Sequence, residues 1–481
     1  MAEYNVLVLL SDQHSKFHLG CYGDPLVRTP HLDGLAAEGM RFDSCYCAAP
    51  LCVPSRMAFM SSRTPSANRV WNNGHALSSA VPTWAHAVGA AGYETALIGR
   101  MHFVGPDQRH GFMRRPLGEY SAGHPGAPRV GGPMFKDISG ATSGQTRAGM
   151  ECAGYGRTTY QAFDEAVADA TCLYLEEKAA DGDPFAAVAG FVLPHCPFFA
   201  PKDLFDYYYE RVDIPPVESE QPGAVRRFRA ERDILRPVPD ERVRVARAAY
   251  FGLCEYFARQ VGRVLDALER TGLADRTLVV YASDHGEMAG EHGCWWKSNY
   301  YEGSVGVPLL ARLPGVVPAG TADGGLCNLM DLGVTATEVA GAEPMPAVDG
   351  RSLWGRLQGG GDAPEETFSE FYTAGTGEPP SRMVRRGDWK LYHYYGDPEP
   401  VLYNLADDPG ELHDLGGDPA RAGVRDDLLR RLYRDWDPER VLARSGELER
   451  DMKALSAWGR TVRPAHEDRL PVPDAEDVVR R

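Results

Sequence analysis

Apolar positions along this chain switch between two periods. Over the first three hundred residues, short continuous apolar runs alternate with stretches whose apolar residues recur every three or four positions. The first pattern reads as a strand buried on both faces and the second as one face of a helix, so the alternation predicts a parallel α/β sheet. Asn5–Leu10 is the first such strand. Thr29-Pro30 then opens a helix through Leu32, Leu35 and Ala36 that closes at Gly39, with threonine as cap, proline at the first helical position and glycine past the end. Pro82 to Gly92 repeats that punctuation before a strand at Thr95–Ile98, and a helix over Tyr160–Lys178 precedes a strand at Phe185–Leu193. The last unit is the clearest: Tyr250, Leu253, Phe257, Val261, Val264 and Leu268 mark a long helix, and Thr277–Tyr281 a buried strand.

Two stretches interrupt this rhythm. Residues 105–156 are dense in Gly, Pro and His, and residues 214–240 in Pro and charge. Loops of such length are usually functional or disordered, and both are expected to wall a site. After Leu357 the segment GGGDAPEE marks a boundary, beyond which come strand-like pieces at Trp389–Tyr395 and Val401–Asn404, a charged helix and a polar tail. The expected fold class is α/β: a large mixed, mostly parallel sheet sandwiched by helices over residues 1–360. A smaller C-terminal α+β domain with an antiparallel sheet is expected over 361–481.

Charge and composition then narrow the function. With 51 Lys+Arg against 67 Asp+Glu the formal net charge is −16, which argues against electrostatic attraction to nucleic acid or an anionic membrane. Its apolar runs fall far short of the roughly 20 residues of a membrane helix. The N-terminus MAEYNVLVLLSD enters the first strand without a basic leader or small-residue cleavage site, so a cytoplasmic location is expected. Ten cysteines in 481 residues are too dilute for a disulfide scaffold and lack C-x2-C spacing, so most are expected to be reduced core thiols.

In an open parallel sheet, ligands bind beyond the carboxyl ends of the strands. Four of the expected strands run into reactive residues: Ser11-Asp12-Gln13-His14, Gly99-Arg100-Met101-His102, Pro194-His195-Cys196 and Ser283-Asp284-His285-Gly286. Singly, each is turn or cap chemistry; four together point to one site. Asp12 and Asp284 with Gln13 and His285 would suit a divalent cation, Ca²⁺ or Mg²⁺ by their oxygens and Mn²⁺ or another first-row metal if His285 ligates. The alternative for His285 is a hydrogen-bond partner behind the ligands, and His14 is close enough to Asp12 to play the same part. The segment Cys52-Val53-Pro54-Ser55-Arg56 places a thiol just before a helix opening at Pro54, with a guanidinium one turn on. That thiol is either a low-pKa nucleophile or a buried structural cysteine. Trp71, Trp295, Trp296, Tyr300 and Tyr301 are aromatic enough to cage a quaternary ammonium, or are plain packing.

These residues together resemble a known family. Cys52-Val53-Pro54-Ser55-Arg56 is similar to the C-x-P-S-R signature of type I sulfatases, in the alkaline-phosphatase-like superfamily. Ser11-Asp12-Gln13 and Ser283-Asp284-His285-Gly286 with downstream Lys297 resemble its metal motifs, Gly99-Arg100-Met101-His102 its G-K-x-H element, and Pro194-His195 its central histidine. In the smaller domain, Arg386-Gly387-Asp388-Trp389-Lys390-Leu391 and Leu402-Tyr403-Asn404-Leu405 resemble the family's terminal strands. Within the family, Pro50-Leu51-Cys52, Val70-Trp71-Asn72-Asn73 and the stretch from Met101 to Gln108 look like the choline-sulfatase branch. Three positions depart from the pattern: Arg100 for Lys, Gln13 for a second Asp, and Ser61-Ser62-Arg63 for Thr-Gly-Arg.

The resemblance implies hydrolysis of a sulfate monoester of a small alcohol, choline sulfate-like. Cys52 would be converted by a formylglycine-generating or other sulfatase-maturation enzyme to formylglycine, whose hydrate attacks sulfur beside one divalent metal, Ca²⁺ or Mn²⁺. Asp12, Gln13, Cys52, Asp284 and His285 would hold the metal, and Arg56, Arg100 and Lys297 would clamp the sulfuryl group. His195, with Lys297, would protonate the leaving alkoxide, His102 would later take a proton so that sulfate departs, and Asn73 would line the substrate pocket. Two other readings stand beside it: a phosphonate monoester or phosphodiester hydrolase using the same site, and a catalytically silent organosulfate binder. Relatives of the choline type are oligomers completed by a neighbour's C-terminal tail, so a homo-oligomer is a further expectation.

Overall fold

The first apolar run becomes strand β1 (Asn5–Asp12), buried along its whole length because parallel strands flank it on both sides. The computed structural model describes residues 4–119, 145–374, 377–463 and 478–480. Part of the Gly/Pro/His-rich stretch at 105–156 lies outside them. Chain order continues with β2 (Met40–Tyr46), β3 (Glu94–Gly99), β4 (Arg114–Leu117), β5 (Gly154–Arg157), β6 (Phe185–Pro194), β7 (Phe199–Ala200), β8 (Thr277–Ser283), β9 (Leu309–Arg312) and β10 (Thr321–Asn328). Eight of these form one sheet in the order β10-β2-β9-β8-β1-β6-β3-β4. Its pairings are parallel except the two made by β9.

The helices that cover this sheet follow the periods read from the sequence. Asp240–Arg270 turns Tyr250, Leu253, Phe257, Val261, Val264 and Leu268 inward and packs on the helix Thr159–Asp181. The Pro-rich charged stretch at 214–240 is not all loop: it carries a helix at Gly223–Glu231 that buries Val225 and Phe228. Among the described residues no helix is long and apolar enough to cross a membrane.

After the large sheet come β11 (Glu366–Phe371), β12 (Ser381–Arg386), β13 (Trp389–Tyr394) and β14 (Val401–Asn404), a four-stranded antiparallel meander. Leu391 and Leu402 from its inner face, Leu428 and Leu432 from the helix Ala422–Tyr433, and Trp71 from the large domain's side share one apolar cluster. The charged helix runs Pro438–Val462. Beyond it β15 (Val478–Arg480) pairs antiparallel with β5 of the same chain, and β5 also pairs with β7.

Register decides what meets at the carboxyl edge of the large sheet. Ser11 lies opposite Ser283, which sets Asp12 and Asp284 abreast at the ends of β1 and β8. Asp12 is in register with Pro194 and Gly99 with Gly190, bringing His195 and Arg100 to the same edge. Gly190 is required: a Cβ there would sit 1.8 Å from the Arg100 carbonyl oxygen.

A buried ion chain fastens the antiparallel sheet to this edge. Lys16, just after β1, reaches Glu302 at 2.9 Å; Glu302 reaches Lys390 of β13 at 3.0 Å, and Lys390 pairs with Glu411. All four are buried, so each charge depends on its neighbours for the solvation that water would otherwise provide. Lys390→Met leaves two carboxylates facing each other in the interior and should cost roughly 3–5 kcal/mol of unfolding free energy, measured by urea denaturation. A loss below ~1 kcal/mol would mean the chain is not what holds the sheets together.

Candidate active site

The helix Cys52–Ser61, every residue of it buried, starts against the ends of β1 and β8. It opens one step earlier than expected: Cys52 is its first residue and Leu51 its cap, so the thiol belongs to the first turn. Ligand atoms of Asp12, Cys52, Asp284 and His285 all lie within 4.8 Å of one another. Cys52 Sγ is 3.2 Å from His285 Nε2 and 3.7 Å from Asp12 Oδ1. His285 Nδ1–H donates to the Gly286 carbonyl at 3.0 Å, which fixes the tautomer and leaves the Nε2 lone pair facing the cluster. Two buried carboxylates, an unprotonated imidazole nitrogen and a sulfur form a donor set that fits a divalent cation.

Arg56 holds these carboxylates rather than facing outward. Nε donates to Asp284 Oδ2 at 2.8 Å and an NH2 proton to Asp12 Oδ2 at 3.1 Å. The remaining donors reach the carbonyls of Arg100 and Ser11. Asp284 Oδ1 meanwhile accepts from the amides of Gln13 and His285.

Arg100 spends its planar fork on three acceptors: Asp12 Oδ2 at 2.7 Å from Nε, His102 Nδ1 at 2.8 Å from NH2, and Glu119 Oε2 at 3.5 Å from NH1. An ammonium could not span this set, which gives the departure from Lys a physical reason. Glu119 also accepts the amides of Met101 and His102, at 3.2 and 2.7 Å. That grip holds His102 in the left-handed region, φ 60°.

Lys297 donates to Gln13 Oε1 at 2.5 Å and to His195 Nε2 at 2.9 Å. His195 Nδ1–H donates to the Cys196 carbonyl at 2.5 Å. The Gln13 amide nitrogen donates to Glu287 Oε2, and the other Glu287 oxygen accepts the amides of Ala289 and Trp296. Gln13, Trp296 and Ser298 all have positive φ (68°, 64° and 71°), so Glu287 ties together a strained turn that presents Lys297. Asn73 lies on the surface beside this cluster, its Oδ1 accepting the Val53 amide at 2.9 Å and so capping the helix that begins at Cys52. Ser62, which replaces the family glycine, ends that helix at φ 52°, a conformation that glycine adopts without strain.

Burial and charge set the protonation states. Burial alone would raise Asp12, but the guanidinium groups of Arg100 and Arg56 hold it well below the usual carboxylate range. His195 is pushed well below its ordinary value by burial and Lys297, and His102 by burial and Arg100. Both rings are neutral at pH 7. Burial first, and then Asp12, push the Cys52 thiol up to about 11, so of the two readings of this thiol the buried one holds and the low-pKa one is set aside.

Other expectations are sorted by the packing. His14 is not behind Asp12: it bonds the Tyr281 hydroxyl at 2.5 Å and is pushed down to about 3, chiefly by burial. The five aromatic residues form no common cage. Trp71 joins the cluster of the antiparallel sheet, Trp295 packs on Phe198, Tyr300 on Tyr392 and Tyr301 stacks on His292. Three carboxylates were missed. Glu287 stands two residues after His285 and could have been found by adjacency, whereas Glu119 lies inside the aperiodic stretch 105–156 and gives no signal. Asp164 is an acid on the buried face of the helix Thr159–Asp181; it accepts the amides of Val192 and Leu193, just before His195.

Known proteins resemble this chain in sequence and in fold. A sulfatase family profile matches residues 4–342, and a profile for the C-terminal part of N-sulphoglucosamine sulphohydrolase matches 290–436. The chain is 33% identical over 467 residues to a choline-sulfatase of Rhizobium meliloti (strain 1021), covering 90% of this chain and 87% of that one. Among solved structures, the phosphonate monoester hydrolase of Agrobacterium radiobacter superposes with a TM-score of 0.72 at 23% identity, covering 92% of this chain and 96% of that one. A protein solved with its substrate D-glucosamine-2-N,6-O-disulfate superposes at 0.73 and 21% identity, covering 91% and 99%. These two likenesses are of fold.

Asp164 gives the site a pH-dependent support. Burial lifts its carboxyl to about 8, with the Val192 and Leu193 amides opposing, against an ordinary value near 4. A carboxyl that binds its proton more tightly when folded contributes stability that is full below its unfolded value and is lost as pH rises toward the folded one. Asp164→Asn removes this titration, so the variant should gain on the wild type between pH 5 and pH 8 by up to roughly 4 kcal/mol. Urea midpoints at the two pH values measure it; a difference that does not change with pH would refute it.

Proposed function

The chain belongs to the sulfatase family and is a sulfuric ester hydrolase, and from that premise we propose that it cleaves the sulfate monoester of a small alcohol, of the choline sulfate kind, through a formylglycine made from Cys52. The observation that carries this is the position of Cys52 Sγ within the Asp12, Asp284 and His285 cluster, with Arg100 and Lys297 at its side. A thiol held near 11 stays protonated at neutral pH and makes a poor nucleophile. The hydrate of an aldehyde at this position would offer an oxygen instead, and would release sulfate by restoring the carbonyl. Because the whole helix Cys52–Ser61 is buried, the maturation enzyme would have to meet the segment before the fold closes over it.

A divalent cation, calcium or manganese, would be held by Asp12, Asp284, His285 and the modified residue 52, with Gln13 beside them, and would neutralise charge and lower the pKa of the attacking oxygen. The chain's own residues do the rest. Arg56 keeps both carboxylates in place, leaving Arg100 and Lys297 to face the sulfuryl oxygens, where pre-positioned cations stabilise spreading charge. His195 accepts from Lys297 at Nε2, so the pair shares the proton that the departing alkoxide needs. The Nδ1 lone pair of His102 rests on Arg100. When that hydrogen bond is given up, the lone pair is free to take the proton whose removal expels sulfate. Asn73 spends its oxygen on Val53, and its amide N–H groups remain for the substrate. With the aromatic cage gone, the alcohol rests on likeness to the choline-sulfatase.

Cys52→Ala should lower kcat/KM for an aryl sulfate by roughly 10³-fold or more, and peptide mass analysis should find the aldehyde at residue 52 in active protein. Full activity with an intact thiol would refute the reading. Paired aryl sulfate and aryl phosphonate esters test the reaction class: faster turnover of the phosphonate would replace sulfatase chemistry with phosphonate hydrolysis. Glu119→Gln takes one charged contact from Arg100, worth ~1.4 kcal/mol, so kcat should fall about tenfold with KM little changed. Unaltered kcat would remove Glu119 from the account of Arg100.

A further inference from the structure

A cleft of about 650 Å³ lies between the loop that follows the helix Pro65–Asn68, the edge of the antiparallel sheet and the start of the helix Pro438–Val462. Its wall carries six carboxylates and six guanidinium groups, yet the two sets are not matched. The carboxylates are already engaged: Glu366 by Arg431 and Arg434, Asp435 by Arg382, Glu370 by Ser66, Asp437 by the amides it caps. Asp331 and Asp349 likewise accept backbone amides. Arg69, Arg351, Arg440 and Arg444 have no carboxylate within ion-pair distance among the described residues, and of these Arg69, Arg440 and Arg444 lie together.

These three cations also crowd one another. Arg440 and Arg444 stand one turn apart on the same helix, a like-charge spacing that weakens a helix slightly. Lost hydration, and then the charges of Arg440 and Arg69, hold Arg444 below its usual range.

We propose that this cleft is a second anion site, which takes one tetrahedral oxyanion of the sulfate class between Arg69, Arg440 and Arg444. Unpaired guanidinium forks suit such oxygens. The anion has two possible sources: free inorganic sulfate, or a second sulfate group on a longer ester. Trp71 is two residues from Asn73, the residue that caps the helix of Cys52, so the cleft and the candidate active site share one short loop.

The test titrates inorganic sulfate calorimetrically into the full-length, metal-loaded protein at constant ionic strength, comparing wild type with Arg440→Gln/Arg444→Gln. Wild type should bind two sulfates and the double variant one, with aryl sulfate turnover preserved within about twofold, since neither residue touches the cluster at Cys52. Equal stoichiometry and affinity in the two proteins would overturn the proposal, as would a single site in wild type. Selenate-soaked crystals give a readout free of any variant: an anomalous peak among the three guanidinium groups is expected, and its absence overturns the site. A disulfated disaccharide identifies the source. A KM raised about tenfold in the double variant assigns the cleft to the substrate's own second sulfate, and an unchanged KM with lost sulfate binding assigns it to the free anion. Sulfate binding needs no turnover, so this test can fail while the hydrolytic reading stands.

Discussion

The structure turns on Arg56. It is fully buried and divides its donors between Asp12 and Asp284, two carboxylates that parallel pairing sets side by side. Carboxylates placed together in a dry interior repel one another and forgo hydration, so in isolation at least one would take up a proton. The guanidinium removes that penalty on their outer oxygens and leaves the inner ones ionised toward Cys52 and His285. The charge that faces Cys52, the fit of the cluster to a divalent cation and the position of Arg100 all depend on this pairing.

Around that keystone lie carboxylates that never face the cluster directly. Glu119 grips the backbone of Met101 and His102, and Glu287 gathers Gln13 with the turn before Lys297. Each holds a residue with positive φ, a conformation a folded protein retains only where its surroundings impose it. Asp164 plays a quieter part at the end of β6. Strong local hydrogen bonding thus converts backbone strain into fixed side-chain positions.

The antiparallel sheet and the last long helix are joined to this centre by polar contacts. The ion chain from Lys16 to Glu411 crosses from β1 to β13. Glu449 of the helix Pro438–Val462 accepts from Asn72 at 3.0 Å and lies 3.2 Å from His75. That bond fixes the loop whose Asn73 caps the helix of Cys52. Residues far apart in the chain therefore position the start of one helix.

By itself the sequence determined the sheet, the order of its units and the strand ends that carry Asp12, Arg100, His195 and Asp284, because period and capping are properties of neighbours along the chain. It also carried the C-x-P-S-R segment and the family likeness, which reside in short contiguous runs. Only the tertiary structure decided what those residues touch. Arg56 meets carboxylates 44 and 228 residues away, and Glu119 lies within an aperiodic stretch with no local pattern to mark it. Tyr300 packs on Tyr392 of another sheet, and the thiol of Cys52 rises because packing buries it and brings Asp12 beside it. Such effects depend on distances through space between groups brought together by packing, which local spacing in a sequence does not encode.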